Sequence, residues 1–289
     1  MSWVNAIVQG ILLGGLYAMY ASGLSVAFGV MRLVNLAHGD LAITSAFLAS
    51  TFVAATSANP FLSLAVLLPA GFLFGIALQK TMFDRLVGLD PSYQIVATFG
   101  LSIVIQNVLL ERYTADRRAL DIGSFGTSSI RISDDVSIGW FPLTRFLVAI
   151  LVLALLSLFL ARTRSGRAFR ATSDDPTTAR LMGINNRTVY ALAMGIAVAT
   201  VALAGVFNGA QTNFAAADGP LLLIYAFEAV IIGGLGSLWG TLVGGMVLGV
   251  AQTVGAQIEP GWTQLIGHLV FLTVLAVRPT GLFGKQALA

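Results

Sequence analysis

The sequence contains no cysteine, only two histidines and few charged residues. The lack of cysteine excludes disulfides, iron–sulfur clusters and thiol catalysis, and two histidines leave little material for a transition-metal site. Charged residues make up 10% of the 289 residues, against about 25% in an average soluble domain. The net charge is only +3, so no nucleic-acid partner is expected. No Ser-His-Asp order, phosphate-binding glycine loop or metal-ligand spacing is present, so no enzyme is expected either.

Hydrophobic residues make up 57% of the chain and predict an integral membrane protein. Apolar stretches long enough to cross a hydrocarbon layer of about 30 Å recur along the whole sequence. Such stretches form helices because lipid offers the backbone no hydrogen-bond partners. The sequence therefore predicts an all-α polytopic protein with about eight transmembrane helices in a single domain over residues 1–289. The predicted spans are residues 4–30, 41–58, 61–79, 93–110, 143–161, 189–210, 221–256 and 262–277.

The positions of basic residues predict the orientation of these spans. No lysine or arginine precedes Arg32, so the positive-inside rule places the first loop in the cytoplasm and the N-terminal end outside. Counting crossings then places residues 111–142 outside and residues 162–188 inside, where six arginines lie. The outer segment also contains four arginines interleaved with acidic residues, so it supports this topology only weakly.

The stretch 221–256 is too long for one span and is rich in glycine. If it enters the membrane and returns, the basic residues Arg278 and Lys285 lie inside; if it crosses once, they lie outside. We therefore predict a broken or re-entrant segment, which is tolerated at membrane depth only beside protein or a water-filled path. The alternative is a glycine-faced helix packed tightly on its neighbour, and the two interpretations are compatible.

Three polar residues, Asn35, His38 and Asp40, lie between the first two apolar runs. Polar groups near a bilayer core are usually paired and often functional. Three interpretations are open: the residues line a substrate path, His38 and Asp40 form a proton relay, or Asn35 or Asp40 caps the start of a helix.

A second polar group follows the sixth span. Asn208, Gln211 and Asn213 are candidates for a substrate path. Glu228 is the one acidic residue between positions 219 and 258, so it either belongs to the path or joins two helices by a hydrogen bond. His268 is alone on its span, where a hydrogen-bonded packing role is favoured.

The cytoplasmic loop 162–188 contains the signature of a short, sharply bounded helix. Asp175 is a good N-cap, Pro176 fits the first helical position, and Gly183 can take the left-handed stop. Leu181 and Met182 give the helix an apolar tip. A helix this short is marginal alone, so it either docks on a partner or serves as a solvated connector.

These segments together resemble the LivH-type permease subunit of bacterial ABC importers for branched-chain amino acids. The resemblance covers nearly the whole chain. The matching stretches are Gln9–Ala18, Gly23–Ser25, Phe28–Val30, Asn35–Asp40, Gly166–Ala171, Ala179–Asn185 and Glu228–Gly240. Leu36 stands where the family often has Phe or Tyr, which is a mild departure.

The resemblance implies a type II importer-like permease in the bacterial inner membrane, with a coupling helix at about 174–183 that docks on an ATPase subunit. The implied partners are cytoplasmic ATP-binding subunits, a second, LivM-like permease and a periplasmic substrate-binding protein, with lipid around the spans. ATP would be bound by the partner ATPases and no cofactor by this chain. The residues assigned to ATPase coupling are Arg170, Asp174, Asp175, Pro176, Ala179, Leu181, Met182 and Gly183. The residues assigned to the substrate path are Asn35, His38, Asp40, Asn208, Gln211, Asn213 and Glu228.

Other functions remain open at this point. Relatives of this kind also serve urea, short amides and other amino acids. A proton-coupled secondary transporter would use His38, Asp40 and Glu228 as a relay, and a passive channel would use the glycine-rich break.

Overall fold

The computed structural model describes residues 3–131 and 136–284, so Lys285 lies outside the described residues. Within these ranges, nine helical stretches are long and apolar enough to cross a membrane. The elements are α1 (Trp3–Met31), α2 (His38–Thr56), α3 (Leu64–Thr81), α4 (Pro91–Tyr113), α5 (Ser124–Thr127), β1 (Ser129–Arg131), β2 (Ser137–Gly139), α6 (Trp140–Arg162), α7 (Arg164–Asp174), α8 (Pro176–Leu181), α9 (Asn186–Gln211), α10 (Gly219–Gly233), α11 (Leu238–Ile258) and α12 (Thr263–Val277).

The predicted break in the stretch 221–256 is confirmed. Helices α10 and α11 are separated by residues 234–237. Gly234 and Gly236 there adopt φ angles of 101° and 82°, a conformation that residues with side chains rarely take. Each half is long enough to span a membrane, which is why the structure has nine candidate spans in its described part instead of about eight.

A segment near the C-terminal end of the described chain covers this break. The backbone N–H groups of Leu282 and Phe283 donate to the carbonyl oxygens of Ile232 and Gly233, at 2.8 and 3.0 Å. The last carbonyls of a helix have no partner within the helix itself. The segment therefore supplies the hydrogen bonds that the end of α10 lacks.

Helix α1 lies at the centre of the bundle and packs against α6, α9, α10 and α11. Glycines bring α1 and α11 into backbone contact: a Cβ on Gly14 would lie 2.4 Å from the Cα of Met246, and a Cβ on Gly249 would lie 2.2 Å from the carbonyl oxygen of Gly10. Small residues permit such close approach between membrane helices. The glycines of α11 thus pack on α1, and α11 also follows the break at residues 234–237. Both interpretations of the stretch 221–256, a break and close packing, therefore hold.

Helix α2 begins inside the bundle, and α10 begins beside it. Helix α2 follows the irregular segment 32–37, and the Nε2 atom of His38 lies 2.9 Å from the carbonyl oxygen of Tyr20. Tyr20 precedes the end of α1 by about three turns, or roughly 16 Å at 1.5 Å per residue. Helix α10 begins beside α2, since a Cβ on Gly39 would lie 1.9 Å from the carbonyl oxygen of Gly219. The N-terminal ends of the two helices therefore meet within the protein.

The segment between α4 and α6 covers one end of the bundle. Strands β1 and β2 pair in antiparallel fashion, and the carbonyl oxygen of Ser137 accepts a hydrogen bond of 2.7 Å from Gln9 on α1. Arg118 and Phe214 exchange two backbone hydrogen bonds of 2.9 and 2.8 Å. Helices α7 and α8 connect α6 to α9 at the other end. Short helices therefore lie at one end of the bundle and a two-stranded sheet at the other.

Candidate functional site

A cavity of about 490 Å³ opens at the end of the bundle opposite α7 and α8. Small-molecule sites typically measure about 300–1,000 Å³. Helices α1, α9, α10, α11 and α12 all contribute to its wall. The polar lining residues are Tyr17, Tyr20, Arg117, Asn208, Gln211, Thr212, Asn213, Asp218, Tyr225, Gln252, Thr263 and Gln264, and the leucines are Leu13, Leu16, Leu221 and Leu222.

Buried polar groups from α1 and α11 line the deep part of the cavity. The hydroxyl of Tyr17 donates to Oε1 of Gln252, and the Tyr17 ring lies 5.0 Å from the ring of Tyr225. Tyr20 and Gln252 are 1% and 2% exposed. Among the described residues, neither the Tyr20 hydroxyl nor Nε2 of Gln252 has a hydrogen-bond partner. Both groups are therefore buried donors beneath the wall of the cavity.

Arg145 on α6 supports one wall of the cavity from behind. Its guanidinium is 2% exposed and donates to Oε1 of Gln211 at 2.7 Å and to the carbonyl oxygen of Leu12 at 3.0 Å. A buried cation costs free energy unless such partners surround it. Arg145 therefore fixes the orientation of Gln211, which lines the cavity.

Two hydrogen-bonded pairs join α10 and α12 below the cavity. Nε2 of Gln264 donates to the hydroxyl of Tyr225 at 3.3 Å, and one turn further Nδ1 of His268 lies 2.5 Å from Oε1 of Glu228. Glu228 is buried, and its second carboxylate oxygen has no partner among the described residues. The structure thus supplies the partner expected for Glu228 and confirms a hydrogen-bonded role for His268.

An ion pair lies at the rim of the cavity. Nη1 of Arg117 is 3.5 Å from Oδ2 of Asp218, and the two side chains are 62% and 24% exposed. Asp218 is held in place because its carboxylate also accepts a hydrogen bond of 2.9 Å from the backbone N–H of Ala215. Two opposite charges therefore lie side by side where the cavity opens.

The motif around residues 35–40 is buried away from this cavity. Oδ1 of Asn35 accepts the backbone N–H of Ala37 at 3.0 Å, which closes a tight turn before α2 but does not cap the helix, since no side chain caps its start. Asp40 does not cap: its Oδ2 accepts the hydroxyl of Ser102 at 2.5 Å, and its Oδ1 faces Gly219. Asn35, His38 and Asp40 are all at most 2% exposed.

The structure therefore divides the seven residues assigned to the substrate path. Asn208, Gln211 and Asn213 line one cavity. Asn35, His38, Asp40 and Glu228 do not, so their role in transport stays a prediction.

Sequence reasoning did not single out Arg145, Tyr17, Tyr20 or Gln252. An arginine inside the predicted span 143–161 is a signal that could have marked Arg145. The other three have neutral side chains, and only the packing of α1 on α11 brings them to one place.

The predicted short helix exists at the opposite end of the molecule. The Asp175 carboxylate accepts the backbone N–H groups of Thr177 and Thr178 at 2.8 and 3.2 Å, and Pro176 occupies the first helical position. Gly183 has a φ of 82°, which confirms the left-handed stop. Hydrogen bonds from the hydroxyl and N–H of Thr178, and then from the N–H of Thr177, lower the pKa of Asp175 below its ordinary value of 3.8.

Helix α8 presents an apolar tip to its surroundings. Leu181 and Met182 are 83% and 78% exposed, whereas Ala179 is buried. The preceding helix, α7, is hydrogen-bonded to α6 and α1: Arg170 donates to the carbonyl oxygen of Leu160, and Ser173 donates to that of Gly29. Asp174 is exposed at the end of α7. A cleft of about 600 Å³ lies between α8 and the residues 84–88.

Comparison with known proteins gives a consistent result. A family model described as "Branched-chain amino acid transport system / permease component" matches residues 6–275. The chain is 29% identical to the high-affinity branched-chain amino acid transport system permease protein BraD of Pseudomonas aeruginosa, over 98% of this chain and 96% of BraD. It is 27% identical to the corresponding protein LivH of Salmonella typhimurium, with the same coverage. The fructose import permease protein FrcC of Rhizobium meliloti is 27% identical over 84% of this chain and 69% of FrcC.

Proposed function

Because the chain belongs to the family of permease components of branched-chain amino acid transport systems, we propose that it is the membrane-spanning permease of an ATP-driven importer. Its cargo would be branched-chain amino acids, and its location the bacterial inner membrane. The names of BraD and LivH support this cargo, since both match over nearly their whole length. The chain itself is a multi-pass membrane protein.

The observation that carries this proposal is the presence of two features at opposite ends of the helix bundle. One end has a polar-lined cavity large enough for a small molecule. The other has a rigidly capped helix whose tip consists of two exposed apolar side chains, Leu181 and Met182. Exposed apolar groups on a short, fixed element are typical of an interaction site.

Energy would come from other subunits. We assign α8 as the element that docks on a cytoplasmic ATP-binding subunit, with a periplasmic binding protein delivering cargo at the other end. A second, LivM-like permease would complete the membrane core. The peripheral helices α3, α4, α6 and α12 present mostly apolar outer faces, which suit either lipid or such a partner.

Transport then needs two states of different energy and no covalent chemistry. In the state described here, the cavity opens away from α8. Closure of the ATPase pair would move α8 and, through α7, the ends of α1 and α6 that α7 contacts. The cavity would close outside and its contents would pass between the helices.

Two alternatives have distinct signatures. FrcC shows that a related permease can be named for a sugar, so other amino acids, urea and short amides are alternative cargo. A proton-coupled transporter is the alternative from a different class, with His38, Asp40 and Glu228 as its relay. It predicts uptake by the isolated chain in liposomes under a pH gradient without nucleotide.

The proposal is tested by changing the tip of α8 from apolar to charged. In a complex reconstituted in liposomes with its ATPases, second permease and binding protein, Leu181→Asp should abolish ATP-dependent leucine uptake. It should also weaken co-purification of the ATPase, because burying an aspartate in an apolar contact is costly.

The matched control is Ile130→Asp, which places the same charge on an exposed apolar residue of β1 at the opposite end. This variant should keep its ATPase. Normal uptake and ATPase association by Leu181→Asp would contradict the coupling role, and uptake by the isolated chain without ATP would contradict the importer.

A further inference from the structure

The ion pair at the rim of the cavity is not required to hold the outer segments together. Those segments are already joined by the two backbone hydrogen bonds between Arg118 and Phe214 and by a third from Leu120 to Gly209, of 2.8 Å. At 3.5 Å, the contact between Arg117 and Asp218 is longer than the roughly 2.7–2.9 Å of a strong charge-assisted hydrogen bond. Exposed pairs of this kind contribute little to stability. Both charges are therefore available to a ligand.

The arrangement of charges fits a zwitterion. An arginine guanidinium is well suited to a carboxylate, because its planar fork can donate two parallel hydrogen bonds. The neighbouring carboxylate of Asp218, held by the N–H of Ala215, can accept hydrogen bonds from an ammonium group. A ligand that carries an ammonium and a carboxylate group on one carbon atom would satisfy both residues at once.

The apolar part of the lining fits an aliphatic side chain. Four leucines, Leu13 and Leu16 on α1 and Leu221 and Leu222 on α10, line the cavity. The two buried donors, the hydroxyl of Tyr20 and Nε2 of Gln252, have no partner among the described residues. Both atoms are buried beneath the lining surface, so the polar contacts of a ligand would come from exposed lining side chains such as Gln211 and Asn213.

We infer that the cavity is a low-affinity recognition site for an α-amino acid with an aliphatic side chain, in which Arg117 binds the carboxylate, Asp218 binds the ammonium group and the leucines contact the side chain. This inference rests on the proposed function and extends it, since it places part of the selection for cargo in the permease. The site would distinguish amino acids from sugars and amides by charge.

Saturation-transfer difference NMR tests the site directly, because it detects weak binding. The sample is the complex of the chain with its second permease and ATPases in lipid nanodiscs, without nucleotide or binding protein. Leucine should give methyl signals. Leucinamide, which lacks the carboxylate, and 4-methylpentanoate, which lacks the ammonium group, should bind about tenfold more weakly, as expected for losing one charged hydrogen bond.

Three variants assign the charges. Arg117→Gln and Asp218→Asn should each reduce leucine binding about tenfold. Arg117→Lys should retain only part of it, because lysine keeps the charge but cannot donate two parallel hydrogen bonds. Asn at position 218 can still accept the N–H of Ala215, so this variant keeps the local fold. Arg112→Gln is the matched control, because Arg112 is exposed at the end of α4 and does not line the cavity.

The outcomes separate the site from the proposed function. If the complete importer takes up leucine with ATP but Arg117→Gln binds leucine normally, the site is wrong and the function stands. If leucine binding depends on Arg117 but the importer takes up no branched-chain amino acid, the function is wrong and the site stands. A lower melting temperature of Arg117→Gln with unchanged leucine binding would show that the ion pair only stabilises the fold, and would overturn the site.

Discussion

At the residue scale, the contact between Gly39 and Gly219 sets how closely α2 and α10 approach. A Cβ on Gly219 would lie 2.0 Å from Oδ1 of Asp40 and 2.9 Å from its Cα. Only a hydrogen atom fits there, because Gly39, Asp40 and Gly219 are all buried and their backbones are in contact.

We therefore predict that Gly219→Ala lowers the stability of the protein by about 1–3 kcal/mol, the usual cost of overpacking. The measurement is the melting temperature of the detergent-solubilised chain. Gly100→Ala is the control, because a Cβ at Gly100 on α4 meets nothing within 4 Å. That variant should keep or slightly raise the melting temperature, since alanine favours a helix. Equal melting temperatures for the two variants would contradict the close contact.

Individual residues were predictable from the sequence where their chemistry acts locally. Asp175, Pro176 and Gly183 act on the backbone within a few residues of themselves, so their roles follow from their order in the chain. The partner of Glu228 lies 40 residues away on another helix, so the sequence indicated only that a partner was needed. Arg145 was missed for the same reason, because its hydrogen-bond acceptors lie on α1 and α9, far away in the sequence.

At the element scale, α8 is the shorter of the two helices that connect α6 to α9, and it depends most on its cap. We predict that Asp175→Ala weakens ATPase association, because a helix of six residues has few hydrogen bonds of its own. Asp175→Ser, which restores an N-cap acceptor, should recover most of it. The measurement is the amount of ATPase that co-purifies, and equal retention by the alanine variant would count against a capped docking helix.

The lowered pKa of Asp175 sets the pH range of this cap. A carboxylate whose folded pKa is depressed stabilises the fold above its ordinary pKa, and that contribution is lost as pH falls through the lower, folded value. Titration of Asp175 should therefore leave ATPase association unchanged between about pH 5 and 8.

The starts and ends of the helices were predictable to within a few residues, but the contact between two of the starting points was not. Helix α2 begins at His38 and α10 at Gly219, a little before the apolar stretches at 41 and 221. Hydropathy identifies the length that lipid or protein must cover, and it does not show that a helix starts within the bundle. The meeting of the two starts depends on glycines whose contacts are far apart in sequence.

At the scale of the whole molecule, the cavity and α8 lie at opposite ends of the helix bundle, and the proposed function places them on opposite faces of the membrane. The absence of cysteine makes this testable with single introduced thiols. We predict that Asn213→Cys reacts with a membrane-impermeant maleimide in intact cells, whereas Met182→Cys reacts only after the membrane is opened.

Both positions are exposed, so differences in reactivity report the side of the membrane and not burial. The native chain, which has no thiol, is the blank. Labelling of Met182→Cys in intact cells would reverse the predicted orientation.

The overall architecture was predictable because membrane burial leaves strong, local signals: long apolar runs, basic loops and a parity count that favoured a break in 221–256. The cavity was not, because it is the space that remains after five helices pack. Three of its amides were recognised as candidates, but its tyrosines, leucines and rim charges belong to segments that only the fold brings together.

The hydrogen bonds from Leu282 and Phe283 to the end of α10 also bear on biosynthesis. Ile232 and Gly233 leave the ribosome well before the residues that later pair with their carbonyl oxygens. Until then, the carbonyl oxygens of Ile232 and Gly233 lack these two hydrogen-bond donors, and the C-terminal segment does not yet cover residues 234–237. A nascent chain stopped before Leu282 would therefore lack the two hydrogen bonds that satisfy this helix end in the finished protein.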